Sequence, residues 1–295
     1  MKYRDNAQLD ASQMGSARGG GRGRGGKVAL GGGAGLVVLI LALLFGLNPD
    51  DLLGASGPQA ESDQAPASQA STYEQCKTGA DIARDRDCRF VAYTNSIQSY
   101  WAQAYVGYRK IQVIPFTGQV STACGTATSA VGPFYCPGDT TVYLDTAFFD
   151  QLTSQLGAQG GDAAEAYVFA HEFGHHIQNL TGVMGKVQSQ GAGQTGPKSG
   201  GVRLELQADC YAGVWLKHAA NDPQSPIAEV TRDDLRRAVD AAAAVGDDRI
   251  QKRMQGQVRP ESWTHGSAEQ RQKWLMQGFN SGDPNTCDTF ASGAL

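Results

Sequence analysis

The chain has 295 residues, with 29 acidic and 25 basic side chains, a formal charge of −4, six cysteines and five histidines. That charge gives no general attraction for polyanions, so nucleic-acid binding is excluded as the leading function. The length leaves room for one folded domain of ordinary size beside terminal segments, and no internal repeat is visible.

Residues 1–27 are rich in Gly and Arg, with Arg18, Arg22, Arg24 and Lys27 directly before an apolar run. From Val28 to Leu47 no residue is charged, and these 20 residues can cross a hydrocarbon core at about 1.5 Å per residue. Asp50 and Asp51 follow. The basic flank predicts a cytoplasmic tail (1–27), one transmembrane helix (28–47) and an extracytoplasmic remainder, in the manner of a single-pass protein of the cell membrane. Basic Gly-rich tails can also bind RNA or DNA, but a topological signal explains this one more economically. The run exceeds the apolar part of a cleavable signal, about 7–15 residues, and no A-x-A site directly follows it, so an uncleaved anchor is expected. Residues 48–71, dominated by Ala, Ser, Gln, Pro and Gly, read as a flexible linker, and 72–295 as the catalytic domain.

Within that domain, Phe90 to Tyr105 reads as a helix with several buried aromatics, and Lys110 to Phe116 alternates like a strand. Thr140-Thr141-Val142-Tyr143-Leu144-Asp145 is a short β-prone run within 134–145. Thr140 to Leu144 is the candidate edge strand, able to pair with an extended peptide. A helix is expected from about Thr146 to Leu156, stopped by Gly157, and another from Asp162 as N-cap to Leu180, ended by Gly182. Gly185 to Gly201, rich in Gly, Gln and Ser, reads as a loop before a helix over Arg203 to Ala220. Thr231 with Asp234, and Ser267 with Gln270, have the form of capping boxes. Few strands early and many helices late predict an α+β fold, mostly helical with a small sheet, after the transmembrane helix.

The cysteines agree with export. Cys76 and Cys88 have the same spacing as Cys124 and Cys136, and Cys210 and Cys287 remain. An even number in an exported domain reads as disulfides; several connectivities are open, of which 76–88, 124–136 and 210–287 is the simplest. The absence of any C-x-x-C spacing argues against zinc thiolates.

The most specific signal is His171-Glu172-Phe173-Gly174-His175, an HExxH sequence inside a helical stretch. Residues four apart on a helix differ by about 40° and about 6 Å, so the two imidazoles can hold one ion between them. Glu172, on the flank of that face, can reach a water but is badly aimed as a ligand. Glu205 and Asp209, also four apart, share a face of the following helix. Glu205 would complete a His, His, Glu set with one open position, as a catalytic Zn2+ requires, and Asp209 could accept the spare ring N–H of His171. The expected reaction is peptide hydrolysis by a zinc-activated water, with Glu172 as general base. His265, in a Thr-His-Gly turn before a helix, is the best candidate to donate to the oxyanion, with Tyr211 less favoured. His176, about 100° from His175, and His218, about 220° round from Glu205, lie off the ligand faces.

The run His171 to Gln178, the segments Glu205 to Asp209 and His265-Gly266-Ser267-Ala268-Glu269-Gln270-Arg271, and Gly132-Pro133-Phe134-Tyr135-Cys136-Pro137 together resemble the bacterial neutral zinc metallopeptidases. The resemblance spans nearly the whole chain. It implies a Gly/Arg-rich N-terminus, one membrane span and an exported zincin-like domain with peptidase activity. A broader likeness to the thermolysin-like Glu-zincins implies His171, His175 and Glu205 as zinc ligands, Glu172 as base and Asp209 as the partner of His171. The expected partners are a peptide or protein substrate and the membrane, with no nucleic acid. Two rivals use the same residues: a zinc hydrolase of a non-peptide amide or ester, and a catalytically silent, zinc-stabilised domain that binds envelope partners.

Overall fold

Helices dominate the late part of the chain, as its apolar periodicity requires. In the computed structural model, which describes residues 1–16, 73–191 and 194–295, the chain runs β1 (Lys2–Tyr3), α1 (Asp87–Ala104), β2 (Val113–Phe116), β3 (Gln119–Thr122), β4 (Gly125–Thr128), β5 (Phe134–Cys136), β6 (Thr141–Asp145), α2 (Phe148–Ser154), α3 (Asp162–Leu180), α4 (Val183–Gln188), α5 (Gly200–His218), β7 (Ile227–Glu229), α6 (Arg232–Ala244), α7 (Asp247–Gln255) and α8 (Ala268–Ser281). The α+β character expected from the element order is present.

Helix α3 is the axis of the core, buried from Ala163 through Gln178. Its alanines let neighbours approach and its large apolar residues fill the gaps, so no face is left for solvent. Phe169 meets Phe90 and Tyr93 of α1 at ring-centroid distances of 5.3 and 5.4 Å. Helix α5 crosses α3 at Gly174, where a Cβ would stand 2.9 Å from the Ala208 Cα, so only a glycine permits the contact. Glu205 and Asp209, either side of Ala208, are thereby pressed against the HExxH residues. On the far side of α5, a Cβ at Gly278 of α8 would run into the Cys210 carbonyl. That second close approach carries Arg271, two turns earlier on the same face of α8, into the interior.

The three-stranded sheet has the order β2–β6–β5, with β2 parallel and β5 antiparallel to β6. The run Thr140 to Leu144 is therefore not an edge strand. All five residues of β6 are buried and it lies in the middle, while Thr140 precedes it with φ +55°. The Val-Tyr-Leu run is apolar on both faces, which suits a central strand; β5 forms the edge on that side. Strands β3 and β4 make a hairpin over a small separate core of Phe116, Val120, Val131, Phe134 and Tyr143. Both capping boxes form. Gly161 (φ +96°), rather than Asp162, is the N-cap of α3, and the stretch 185–201 contains the end of α4 and the first turn of α5. Disulfides join Cys76–Cys88, Cys124–Cys136 and Cys210–Cys287.

The membrane assignment is corrected. No helix among the described residues is long and apolar enough to cross a membrane; the run Val28 to Leu47 lies outside the described residues. Residues 1–16, expected as part of a cytoplasmic tail, are built into the same body as the rest. β1 pairs antiparallel with β7. The Met1 amino group meets Asp234 at 2.7 Å, and the Tyr3 hydroxyl donates to Asp162, the first residue of α3, at 2.9 Å. Arg4 donates to the carbonyls of Ala220 (3.1 Å) and Ser225 (2.7 Å) beyond α5, and Met14 bridges to Val113. One crossing between residues 16 and 73 would separate these partners. The single-pass topology, with its cytoplasmic N-terminus and extracytoplasmic domain, is overturned by these contacts. Hydropathy reads a run in isolation and is blind to pairing over more than 200 residues.

Candidate metal centre

The HExxH spacing does on α3 what helix geometry dictates. The rings of His171 and His175 stand 4.8 Å apart and nearly perpendicular. Glu205, reaching across from α5, lies 3.1 Å from His171 Nε2 through Oε2 and 3.5 Å from His175 Nε2 through Oε1. The potential ligand atoms of these three residues lie within 4.8 Å of one another, and all three residues are buried. A second group, Cys76, Asp85 and Cys88, is equally compact, but its cysteines are joined in a disulfide and offer no thiolate.

The outer hydrogen bonds settle which ring nitrogen faces inward. His171 Nδ1 donates to Asp209 Oδ1 at 2.9 Å, a carboxylate that can only accept. Gln178 spends its amide N–H groups on the Leu204 carbonyl (2.7 Å) and on Gln207 (3.2 Å), so its oxygen is left to accept from His175 Nδ1 at 2.9 Å. Both imidazoles therefore present Nε2 to Glu205. This inward-facing pair with a carboxylate fits the donor set of a hydrolytic Zn2+ site, and the partners on Nδ1 hold the rings in place.

Asp209 is itself clamped. It accepts from Tyr167 Oη (2.6 Å) and from Arg271 through Nε and Nη2 (both 2.9 Å). Burial alone would raise its pKa, but Arg271 and His171 hold it below the usual carboxylate range. Glu205 is lowered in the same way against its burial, by His175, His265 and His171. Burial would lower His171, yet the Asp209 charge and hydrogen bonds to Asp209 and Glu205 push it up to about 10. These carboxylates favour the protonated form of His171, so a proton and a cation compete for its Nε2. Metal loading at pH 7 is expected to release about one proton, and affinity to fall as pH drops. Titration calorimetry in buffers of different ionisation enthalpy reads this directly; a proton count near zero at pH 7 would show that His171 is already neutral.

Glu172 is buried, and its Oε2 has no hydrogen-bond partner among the described residues. Burial raises its pKa, with the neighbouring His171 and His175 pulling the other way. A buried carboxylate oxygen left unpaired is costly unless something absent from the protein itself occupies its front.

His171, Glu172, His175, Glu205, His265 and Arg271 all line one cleft, whose wall on one side is the segment Ser129 to Phe134. His265 is fixed by Asp247, whose Oδ2 accepts from the backbone N–H of Thr264 (2.7 Å), His265 (2.7 Å) and Gly266 (2.9 Å). Its Nδ1 lies 3.3 Å from Asp247 Oδ1, which leaves Nε2 as the ring atom available to the cleft. Tyr211 is not in the cleft: its ring packs edge-on against Trp101 at 5.5 Å. His176 is held between Tyr135 (3.0 Å) and the Arg109 carbonyl (2.8 Å), and burial lowers its pKa. His218 stacks on Tyr100 and meets the Gly282 carbonyl at 2.9 Å.

Four residues of the site have no role that the sequence assigns: Tyr167, Gln178, Asp247 and Arg271. Tyr167 and Gln178 share the ligand face of α3, at four before His171 and three after His175, so helical periodicity could have found them. Arg271 closes the His265–Arg271 segment, but nothing local pairs it with Asp209, and no local signal marks Asp247.

A family model described as "Putative neutral zinc metallopeptidase" matches residues 1–290. The chain is 49% identical over 259 residues to a protein of Mycobacterium tuberculosis described as uncharacterized, covering 86% of each chain. It is 41% identical over 265 residues to an uncharacterized protein of Escherichia coli K12, covering 88% of this chain and 87% of the other. No solved structure gives a significant match.

Proposed function

The chain belongs to the family described as "Putative neutral zinc metallopeptidase", and on that premise we propose that it is a zinc-dependent peptidase, with His171, His175 and Glu205 as ligands and Glu172 as general base. The observation that carries this reading is the unpaired, buried Oε2 of Glu172 beside the inward-facing His171, His175 and Glu205. A zinc ion held by those three side chains would supply a Lewis acid that polarises the scissile carbonyl and acidifies water.

The rest of the chemistry belongs to the protein. Glu172 accepts the proton of the attacking water and passes it to the departing amine; its burial keeps bulk solvent from competing for that oxygen. Asp209 orients His171, and Arg271 with Tyr167 keeps Asp209 charged and in place. Asp247 orients the His265 ring, whose doubly protonated form would donate from Nε2 to the developing oxyanion. The segment Ser129 to Phe134, leading into the edge strand β5, gives an extended peptide a wall to lie along.

The test is hydrolysis of a broad quenched-peptide mixture by zinc-loaded protein, abolished by a chelator and restored by zinc. If the loaded protein cleaves no peptide faster than its Glu172→Gln variant, the peptidase reading is wrong and a binding domain takes its place. Asp247→Asn should leave zinc content unchanged and lower kcat by about tenfold, because the ring of His265 loses its anchor. An unchanged kcat would remove His265 from the mechanism.

A further inference from the structure

One of the three disulfides differs from the others in access and in what it encloses. Cys76, Cys88, Cys136, Cys210 and Cys287 are no more than 1% exposed, whereas Cys124 is half-buried. The 76–88 and 210–287 bridges lie in the main core, among Trp101, Phe169 and Trp215. The 124–136 bridge belongs instead to the small core of Phe116, Val120, Phe134 and Tyr143, which can open without unfolding α3 or α5. An attacking thiolate must reach the sulfur it displaces, so access selects Cys124. Cys124 lies in the turn between β3 and β4, and Cys136 is the last residue of β5. The loop that they close holds β4, β5 and, between them, the segment Ser129 to Phe134 that lines the cleft. Opening the bridge returns conformational freedom to that segment. The hydrogen bonds beside it, from the Ala123 N–H to Asp139 and from the Gly118 N–H to Ser129 Oγ (both 3.0 Å), are exposed to solvent and hold it only weakly.

We propose that Cys124–Cys136 is a thiol-exchange site through which a dithiol reductant loosens the cleft. A thiolate of the reductant attacks Cys124 Sγ. The bond between the two protein sulfurs breaks, a mixed disulfide forms on Cys124, and Cys136 leaves as a thiolate that takes up a proton. The reductant's second thiol then attacks its own sulfur in the mixed disulfide, which closes a disulfide within the reductant and releases Cys124 as a thiol. The reductant is oxidised by two electrons, and the protein disulfide is reduced to two thiols. His171, Glu172, His175 and Glu205 lie on α3 and α5, outside the opened loop, so the metal centre keeps its donors. The effect on hydrolysis rests on the peptidase reading of the cleft; the exchange itself does not.

Two measurements separate the exchange site from the peptidase activity. In the first, the zinc-loaded full chain is exposed to graded dithiothreitol, quenched with N-ethylmaleimide and mapped by mass spectrometry. Cys124 and Cys136 should be labelled at least about tenfold faster than the other four cysteines, and glutathione should leave its adduct on Cys124. Labelling of all six together, of another pair first, or a glutathione adduct on Cys136 overturns the exchange site. The second is kcat/KM on one peptide, with zinc per chain determined on the same samples. It compares the wild type, the wild type opened at this bridge, blocked and freed of reductant, and the double variant C124S/C136S. Both opened forms should keep their zinc and lose about tenfold in kcat/KM, since small misplacements around a reacting centre cost that much or more. Turnover equal to the wild type, or loss of zinc on opening, overturns the proposed effect on the cleft. Selective labelling in a chain that cleaves no peptide in any form would sink the peptidase reading and leave the exchange site standing. Should C124S/C136S not fold, the blocked wild type decides alone.

Discussion

Glu172→Gln is expected to take up zinc as the parent does and to lose peptide hydrolysis by about 10³-fold, within the 10²–10⁴ range typical of a positioned general base. The amide has the shape of the carboxylate, and no protein donor among the described residues depends on Oε2, so the substitution should disturb neither α3 nor the ligands. It removes only the ability to accept a proton. The measurement is kcat on one peptide together with zinc per chain and the thermal unfolding midpoint. Equal zinc, equal stability and lost turnover would be the signature of chemistry. A variant as active as the wild type would transfer the base to another group, and loss of zinc in the variant would make Glu172 a ligand.

Glu205→Gln is expected to lower zinc affinity by more than about 100-fold, exceeding the 10–100-fold typical of residues that only orient ligands. The neutral amide keeps the volume and the contact of α5 with α3, but it removes the one anionic member of the proposed ligand set. Asp209 is a poorer choice for this test. Substituting it would leave Arg271 buried without its partner, and a buried charge stripped of its pair typically costs about 3–5 kcal/mol in stability. Zinc retained after dialysis against a competing chelator checks the result, with His171→Ala alongside. A Glu205→Gln chain that keeps equimolar zinc would mean that the ion sits elsewhere. Since a ligand that binds only the folded state stabilises it by RT ln(1 + [L]/Kd), the zinc-induced rise in unfolding temperature should shrink in parallel.

Part of this architecture is legible in the sequence. The four-residue spacing of His171 and His175 fixes their common direction on any helix, and the same holds for Glu205 and Asp209, so two correct faces follow from periodicity alone. Both capping boxes and the simplest disulfide pairing were also readable, because caps are local and two of the three bridges close short loops. The errors have a shared cause. Thr140 to Leu144 was expected at an edge, and residues 1–16 beyond a membrane, because strand order and the pairing of β1 with β7 depend on residues far away in the chain. Hydropathy and β-propensity carry no information about such partners.

By itself the sequence determined which side chains share one face of α3 and one face of α5, since that depends on rotation per residue. Only the tertiary structure decided that the two ligand faces meet. Gly174 lets α5 approach until Glu205 reaches both Nε2 atoms, and Gly278 lets α8 deliver Arg271 to Asp209. The enclosure of the site was also a tertiary outcome, with Asp247 holding His265 at the cleft and α2, α6 and α7 closing the cleft around it. The physical reason is range: backbone hydrogen bonding sets direction within a helix, whereas close packing between helices sets which directions converge.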